Sequence, residues 1–238
     1  MVFFSTTTPT PQEDEIFRSC LEKIALLVDS LYWQINDSLT DTSMFPQNPI
    51  HLQLKNDHIV EEINGFLFSY SPFCFFQNNT LMTQEVLTAM RPFISGQVVD
   101  LCCGVGVLGL SLLRDARSLT GIELVEESIR YAKKNALDNS VSSCAFFCDD
   151  MKSLSDYTPT EINTLIIDPA RPGLGNKTVS RILALQPDTI IYLSCNPKSL
   201  VDDLQLLDAH YSRVFSQAYD FFPQTPHIET LIVLKRKE

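Results

Sequence analysis

The sequence predicts an α/β protein with a doubly wound, mostly parallel sheet. From about residue 98 onward, short apolar runs alternate with segments whose apolar residues recur every three or four positions, the pattern of strands followed by helices. An acidic residue, an Asp-Pro pair or a Cys ends successive runs. No helical segment separates the last two runs, which predicts an antiparallel pair at the end of the sheet. Open sheets of this class bind ligands at the carboxyl ends of their strands.

Length, charge and cysteine content narrow the class of protein. The 238 residues suffice for one such domain with a modest extension. A net charge of −11 argues against binding nucleic acid by bulk electrostatics, because neutralising phosphates requires clustered Lys and Arg. No apolar run has the length of a membrane span, and residues 1–11 lack the basic and apolar regions of a signal peptide. The seven scattered Cys are typical of thiols in a reducing cytosol, so we expect a cytoplasmic protein.

Residues 1–60 are predicted to form an N-terminal extension, and residues 61–238 the main domain. Within the extension, residues 1–12 are predicted to be a loose tail. Apolar residues at helical spacing predict an amphipathic helix over about residues 14–31, followed by a loop over 35–49. Looser alternation between residues 50 and 70 predicts a short strand and then a hairpin that turns at Asn64-Gly65.

The composition changes at Ser71–Gln77, a predicted loop that begins with Ser-Pro and contains three Phe beside a Gln. Consecutive large apolar residues are most often part of a core. A helix is predicted to follow from about Thr80 to Met90, because its apolar residues fall on one face.

The clearest sign of a bound cofactor is a strand that ends at Asp100 and leads through a Gly-x-Gly turn into an apolar helix. Gly104 and Gly106 allow a ligand to approach the backbone at the helix N-terminus. The next strand ends at Glu123 about 20 residues later, the spacing at which a carboxylate receives ribose hydroxyls. Since Asp100 would repel a pyrophosphate, we expect S-adenosylmethionine rather than a dinucleotide. A glycine turn of purely structural importance is the open alternative.

A helix over about residues 126–137 leads to the next predicted strand, Cys144–Cys148, which ends at Asp149-Asp150. Cys144 and Cys148 share one face of this strand, but a third and a fourth metal ligand are not evident in the sequence. We therefore expect these two cysteines to pack in the core, and we expect no metal.

A further strand, Leu165–Ile167, ends at Asp168-Pro169, and Arg171 follows in a stiff, proline-rich loop. A carboxylate and a guanidinium at the edge of the sheet could contact a polar, planar substrate. An Asp/Arg pair that only fixes the loop explains the same residues, and both interpretations stay open. A helix that carries Val179 and Ile182 is predicted to follow.

Cys195 ends the apolar run Ile190–Ser194, and Asn196-Pro197 stops the strand. Its place at a strand end makes it a candidate nucleophile, although a free Cys is most often a small buried hydrophobic residue. Ser199 and Asp202 resemble a capping box for the next helix.

Two final strands are predicted at about residues 213–219 and 228–234. The loop before the second is rigid, with Pro223 and Pro226, and it is followed by His227 and Glu229. A lone His is more often structural than catalytic. Glu229 begins a strand that is otherwise apolar, and an acid in that place calls for a reason.

Six motifs occur in a fixed order: FSYSPFCFFQNN, DLCCGVGVLGL, TGIE, DPARPGLG, YLSCNP and FPQTPHIE. Together they resemble the RNA 5-methyluridine methyltransferases, which belong to the class I S-adenosylmethionine-dependent enzymes. The similarity is strongest to the bacterial enzymes that methylate a uridine of 23S ribosomal RNA, and next to the tRNA enzymes. It runs from about residue 60 to the C-terminus, and more faintly from about residue 29. It implies an enzyme that methylates C5 of a uridine through a covalent bond between a Cys and C6.

The resemblance also implies a role for each matching residue. Cys195 would be the nucleophile and Glu229 the general base that removes the C5 proton. Cofactor contacts are implied for Gln77, Asp100, Cys102, Gly104, Gly106, Glu123, Asp150 and Asp168. Phe75 could receive the uridine, and Arg171 would steady the Cys loop or the base.

The chain departs from the family pattern in two ways. Relatives commonly carry an N-terminal RNA-binding barrel and some carry an iron–sulfur cluster, but residues 1–60 are too short for both and Cys20 stands alone. We therefore expect a remnant of the RNA-binding part and no cluster. Position 102 is Cys where many relatives have an aromatic residue. Two alternatives stay open: a methyltransferase for another substrate such as an amine, and a family member that binds RNA or cofactor without catalysis.

Overall fold

A computed structural model describes residues 1–28, 30–37, 57–157 and 161–237. The chain divides into two compact units, one of Met1–Val60 with Ser69–Cys74 and one of Glu61–Phe68 with Phe75–Glu238. The second unit contains a seven-stranded, mostly parallel sheet with helices between its strands. This sheet confirms the predicted α/β fold class.

The first unit is built on two parallel strands, β1 (Val2–Thr6) and β2 (Leu31–Ile35), joined through helix α1 (Pro11–Ala25). Leu21 of the helix packs against Leu31 and Trp33 of β2. The prediction of a loose tail over residues 1–12 was wrong, because residues 2–6 pair with β2 along its whole length. The predicted helix also ends earlier than expected, since Leu31 belongs to a strand.

A hairpin of β3 (Ile59–Ile63) and β4 (Phe66–Tyr70) follows. Its turn is Asn64-Gly65, with φ of 52° and 79°, the left-handed conformations that a two-residue hairpin turn requires. The hairpin is therefore confirmed. Most of the loop predicted over residues 35–49 lies outside the described residues. The strand expected near Leu52 and Leu54 lies entirely outside them.

The strands of the main sheet follow the predicted order along the chain. Their bounds are β5 (Gln97–Leu101), β6 (Ser118–Glu123), β7 (Cys144–Cys148), β8 (Thr164–Ile167), β9 (Thr189–Ser194), β10 (Tyr211–Tyr219) and β11 (Glu229–Arg236). Across the sheet they lie in the order β10-β11-β9-β8-β5-β6-β7. Five strands are parallel, and β11 lies antiparallel to both β9 and β10, as the missing helix between the last two runs predicts.

Six helices of this unit connect the strands or precede them. They are α2 (Thr80–Met90), α3 (Val107–Leu112), α4 (Glu126–Asp138), α5 (Leu154–Tyr157), α6 (Gly175–Leu185) and α7 (Pro197–Leu207). In the described part of the chain, every helix is too short or too polar to cross a bilayer.

Alternation along the strands separates the two faces of the sheet. Val99 and Leu101 of β5 join one hydrophobic core with apolar residues of α5, α6 and α7. Asp100 lies between them in sequence and so points to the opposite face, where its carboxylate reaches the backbone of α3. The alternation of side chains along β5 thus places Asp100 on the face of the sheet that carries α3.

The start of α7 differs from the sequence prediction. The helix begins at Pro197, and Asn196 is its N-cap, whose side chain accepts a hydrogen bond from the Lys198 amide at 3.2 Å. The predicted capping box of Ser199 and Asp202 was therefore wrong, because both residues already lie inside the helix.

Candidate active site

The turn between β5 and α3 forms the floor of a pocket at the carboxyl edge of the sheet. Cys102, Gly104 and Gly106 all have positive φ, of 65°, 53° and 88°. A Cβ built on Gly104 would meet nothing within 4 Å, so open space lies above this backbone. Cys102 adopts the left-handed conformation without being Gly, and its amide donates to the Ile122 carbonyl of β6 at 2.8 Å.

Two carboxyl groups stabilise this turn and the helix that follows it by accepting hydrogen bonds from backbone amides. Asp100 is fully buried, and its Oδ2 accepts a hydrogen bond from the Gly109 amide at 2.9 Å. Glu123 accepts from the Gly104 amide at 3.1 Å and from the Val125 amide at 2.9 Å. The acids at the ends of β5 and β6 therefore meet at the same turn, as their predicted positions at one sheet edge require.

The pocket brings together six of the residues that the sequence nominated. They are Phe75, Gln77, Asp100, Cys102, Gly104 and Asp168. Phe75 is 66% exposed at the rim, whereas the neighbouring Phe76 is buried. Leu193 of β9 and the buried Phe221 complete the apolar lining, so the pocket combines aromatic walls with carboxyl groups.

Cys195 and Glu229 are placed by the antiparallel register of β9 and β11. Thr230 pairs with Ser194, and Leu231 pairs with Leu193. Glu229 precedes Thr230 and Cys195 follows Ser194, so both residues adjoin the end of this ladder. Cys195 is partly buried, and Glu229 is only 4% exposed.

The environment of this pair favours the neutral form of each group. Burial raises the pKa of Glu229 to about 7. Burial also raises the pKa of the Cys195 thiol, and the charges of Glu229 and Asp168 act in the same direction. Arg171 opposes this effect by lowering the pKa of Cys195. Protonation of Glu229 therefore eases ionisation of the thiol beside it.

The other acids of the edge share this low-dielectric surrounding. Burial, reinforced by the charges of Glu229, Asp100 and Glu123, raises the pKa of Asp168 to about 8. Burial likewise raises the pKa of Asp100 to about 7, against the opposing hydrogen bond from Gly109. Additional negative charge is consequently disfavoured in this pocket.

Asp150 is engaged locally after β7. Its Oδ1 accepts from the Lys152 amide at 2.8 Å, and its Oδ2 lies 3.1 Å from Lys152 Nζ. These two hydrogen bonds lower the pKa of Asp150. It is not among the residues that line the pocket. The described residues contain no group of three His, Cys, Asp or Glu side chains that could hold a metal ion.

The segment before Glu229 is held by its own hydrogen bonds and by α2. The Phe221 carbonyl accepts from Asn79 Nδ2 at 3.1 Å, and Asn79 also caps α2. Thr225 Oγ1 donates to the Phe222 carbonyl at 2.7 Å, and the ring of His227 lies edge-on to Phe222 with centroids 6.4 Å apart. His227 is exposed.

Two polar residues near the site were not nominated from the sequence. Asn196 caps α7 and donates from Nδ2 to the Arg171 carbonyl at 2.9 Å. Asp203, only 4% exposed, accepts three hydrogen bonds inside the domain. A signal for Asp203 existed, because it follows Leu200 by three positions and precedes Leu204 and Leu207 on the apolar stripe of the helix.

The chain is similar to known RNA methyltransferases. The tRNA (Uracil-5-)-methyltransferase family model matches residues 47–237. An RNA methyltransferase of Clostridium tetani is 35% identical over 209 residues, which cover 86% of this chain and 45% of the relative. The 23S rRNA (uracil(747)-C(5))-methyltransferase of Pyrococcus abyssi is 37% identical over 221 residues, covering 88% of this chain and 50% of the relative.

Among solved structures, the tRNA (uracil-54, C5)-methyltransferase of Pyrococcus abyssi, in complex with S-adenosyl-L-homocysteine, superimposes with a TM-score of 0.74 at 29% identity. The match covers 87% of this chain and 50% of that chain. The chain thus spans about half the length of the relatives that it matches. Since the family model covers most of its residues, this chain belongs to the tRNA (uracil-5-)-methyltransferase family.

Proposed function

We propose that this chain transfers a methyl group from S-adenosylmethionine to C5 of a uridine in RNA, with Cys195 as nucleophile and Glu229 as general base. The observation that carries the proposal is the register of β9 and β11, in which a buried carboxyl group and a cysteine both adjoin the last pair of the ladder. Family membership and the two relatives that act on uracil C5 support the same reaction.

The residues of the pocket fit S-adenosylmethionine. Open space lies above Gly104, so a ligand can rest on the turn. Asp100 Oδ1 is buried and has no hydrogen-bond partner among the described residues. The three carboxyl groups of Asp100, Glu123 and Asp168 suit a ligand with a sulfonium and an ammonium group better than one with phosphates.

Five residues would hold this cofactor by their positions. Gln77 and Asp168 line the pocket, and Glu123 is fixed at the turn by backbone amides. Cys102 and Gly104 provide the backbone surface beneath. When bound, S-adenosylmethionine supplies an electrophilic methyl group. The adenine contact expected of Asp150 stays a prediction; its carboxylate accepts hydrogen bonds from Lys152 and lies outside the pocket lining.

Cys195 begins the reaction on the uracil ring. C5 of uracil is a poor nucleophile as it stands. The Cys195 thiolate forms a bond to C6, and the electrons of the C5–C6 double bond move toward O4. C5 then has enolate character and can accept a methyl group. The positive charge of Arg171, which lowers the pKa of Cys195, favours the thiolate that this step needs.

Glu229 completes the reaction. After methylation, C5 carries both the methyl group and its original hydrogen. The Glu229 carboxylate takes that proton, the electrons of the C–H bond restore the C5–C6 double bond, and the bond between sulfur and C6 breaks. A pKa of about 7 lets Glu229 accept this proton near neutral pH. Phe75, exposed at the rim, can stack on a uridine that has left its RNA helix.

The substrate we favour is 23S ribosomal RNA, because the relative that acts on 23S rRNA is 37% identical. A tRNA substrate is the second candidate, supported by the solved relative that acts on tRNA. Mass-spectrometric mapping of 5-methyluridine in ribosomal and transfer RNA from a deletion strain separates the two. Loss of one 5-methyluridine from 23S rRNA supports the first candidate, and loss from tRNA alone selects the second.

The reaction itself is tested with RNA that contains 5-fluorouridine, together with S-adenosylmethionine. Fluorine cannot leave as a proton does, so the bond between Cys195 and C6 should persist and survive denaturing electrophoresis. Cys195→Ala should abolish the adduct. Cys148→Ala is the matched control, because Cys148 is exposed and lies at the end of another strand. Adduct formation by Cys195→Ala, or methyl transfer by that variant, would refute Cys195 as nucleophile.

A further inference from the structure

Asp203 is a buried carboxylate that ties three parts of the domain together. Its Oδ2 accepts from the Tyr192 hydroxyl of β9 at 2.7 Å and from the Leu174 amide at 2.9 Å. Its Oδ1 accepts from the Gly175 amide at 3.3 Å. Burial and the bond to Asp203 raise the pKa of Tyr192, so this hydroxyl stays a donor.

The N-cap of α7 and one residue of its first turn act on the same loop. The Arg171 carbonyl accepts from Asn196 Nδ2 at 2.9 Å and from Ser199 Oγ at 3.0 Å. Positions 196, 199 and 203 are three and four residues apart, so they form one stripe along the helix. This stripe therefore holds the loop of residues 168–175 at both its middle and its end.

Gly173 shows how closely the loop is pressed onto the helix. It has a φ of 79°, which an L side chain rarely adopts. A Cβ at this position would lie 2.7 Å from Asp203 Oδ2 and 3.0 Å from Ser199 Cβ. The helix stripe and the glycine thus fit each other, and the loop has little room to move.

We propose that Ser199 and Asp203 are positioning residues of the methyl-transfer site, which fasten the loop of residues 168–175 to α7 and so hold Arg171 against Asn196, the residue that follows Cys195. The inference rests on the proposed function in taking Cys195 as the nucleophile. Neither residue touches the reacting atoms. They act through Arg171. Its carbonyl accepts a hydrogen bond from Asn196, the residue that follows Cys195, and its positive charge favours the Cys195 thiolate.

The test measures how fast iodoacetamide alkylates Cys195 in the full chain between pH 6.5 and 9, read by peptide mass spectrometry. Asp203→Asn, Ser199→Ala and Arg171→Ala should each slow the alkylation of Cys195 at pH 7.5, by about threefold to tenfold for Asp203→Asn, since tenfold corresponds to one pKa unit. The profile should move to higher pH. Cys148, which is exposed, serves as an internal reference whose rate should not change.

Asp202→Asn is the matched control, because Asp202 is the exposed neighbour of Asp203 on the same helix and loses the same charge. It should alkylate at the wild-type rate. Unfolding cannot imitate the expected result, because an unfolded chain exposes Cys195 and speeds its alkylation. If Asp203→Asn does not fold, Ser199→Ala releases the same loop with a smaller perturbation and keeps the proposal open to refutation.

A double variant decides whether the effect passes through Arg171. Asp203→Asn combined with Arg171→Ala should alkylate no more slowly than Arg171→Ala alone. The proposal would be overturned if the double variant were slowed by the product of the two single effects. It would also be overturned if Asp203→Asn and Ser199→Ala were alkylated at the wild-type rate. These readings need no RNA, so they stand apart from the proposed function, which fails instead if the wild-type chain forms no adduct with 5-fluorouridine RNA.

Discussion

Replacing Glu229 by Gln removes an ionisable group from a site where the charged form is disfavoured. Glu229 is 4% exposed, and burial raises its pKa from an ordinary 4.5 to about 7. In the unfolded chain the same carboxyl ionises near its ordinary value. Glu229→Gln keeps the size and the polar character of the side chain but cannot ionise, so the comparison isolates the charge.

The sign and size of the effect follow from proton linkage. The folded state holds the proton more tightly, so this group stabilises the fold fully below pH 4.5 and loses that contribution as pH rises to about 7. One pKa unit corresponds to about 1.4 kcal/mol, which gives at most about 3 kcal/mol over the whole range. Between pH 5.5 and 8 the wild type should lose about 2 kcal/mol relative to Glu229→Gln.

Urea unfolding at pH 5.5 and pH 8 measures this difference. The lower pH stays above the pI of about 4.8, where solubility is poorest. With a slope of about 3 kcal/mol per molar urea, the midpoint of Glu229→Gln should rise relative to wild type by about 0.7 M between the two pH values. Glu161→Gln is the control, because Glu161 is exposed, and its midpoint should stay level with wild type at both pH values.

An equal difference between wild type and Glu229→Gln at both pH values would refute the reasoning. It would mean that Glu229 ionises in the folded protein as easily as in the unfolded chain. The carboxyl would then be solvated in the folded protein, and Glu229 would lack the raised pKa on which its proposed role as general base depends.

Four further substitutions test the glycine turn with its helix, the turn of the β3–β4 hairpin and the cap of α2. Gly104→Ala and Gly65→Ala should each lose about 1 kcal/mol of stability, because both glycines have a left-handed backbone. Only Gly104→Ala should also weaken the binding of S-adenosylmethionine, measured by calorimetry, because its methyl group enters the open space of the pocket. Gly109→Ala should lose about 1–3 kcal/mol, since its Cβ would lie 2.8 Å from Asp100 Oδ2; a wild-type thermal midpoint would contradict this. Asn79→Ala should lose about 1–2 kcal/mol in urea unfolding with its cap, and an unchanged midpoint would show that the cap is dispensable.

The main domain could be predicted from the sequence because its signals are local. The apolar runs that end at Asp100, Asp168 and Cys195 are short and separated by helical spacing, so strand order along the chain follows directly. The rule that parallel strands share one edge then gathers their end residues. Hence six residues of the pocket and a candidate nucleophile could be nominated from the sequence.

Pairing between distant segments was harder to predict. Val2–Thr6 is an unremarkable short run, and only its partner β2, nearly 30 residues away, makes it a strand. The apolar residues Leu26 and Leu27 continue the helical spacing of α1, yet they are 86% and 84% exposed after the helix has ended. Local periodicity carries no information about either outcome, because tertiary pairing decides both.

The finest features of the site also lie beyond the sequence pattern. Glu229 could be assigned to the same sheet edge as Cys195, but how near the two residues lie depends on the register of β11 with β9, which a shift of one residue would change. Asp203 showed only as an acid on an apolar stripe. Burial and hydrogen-bond partners, which set the pKa values of the edge, are properties of the assembled fold.

Trapping of a Cys195 adduct by Glu229→Gln tests the proposed chemistry most directly. The variant is incubated with unmodified RNA and S-adenosylmethionine, digested, and analysed by peptide mass spectrometry. We predict that Cys195 carries a methylated uridine nucleotide, because addition and methylation proceed while the C5 proton has no base to take it. Release of 5-methyluridine by Glu229→Gln at the wild-type rate, with no nucleotide on Cys195, would contradict the roles assigned to both residues.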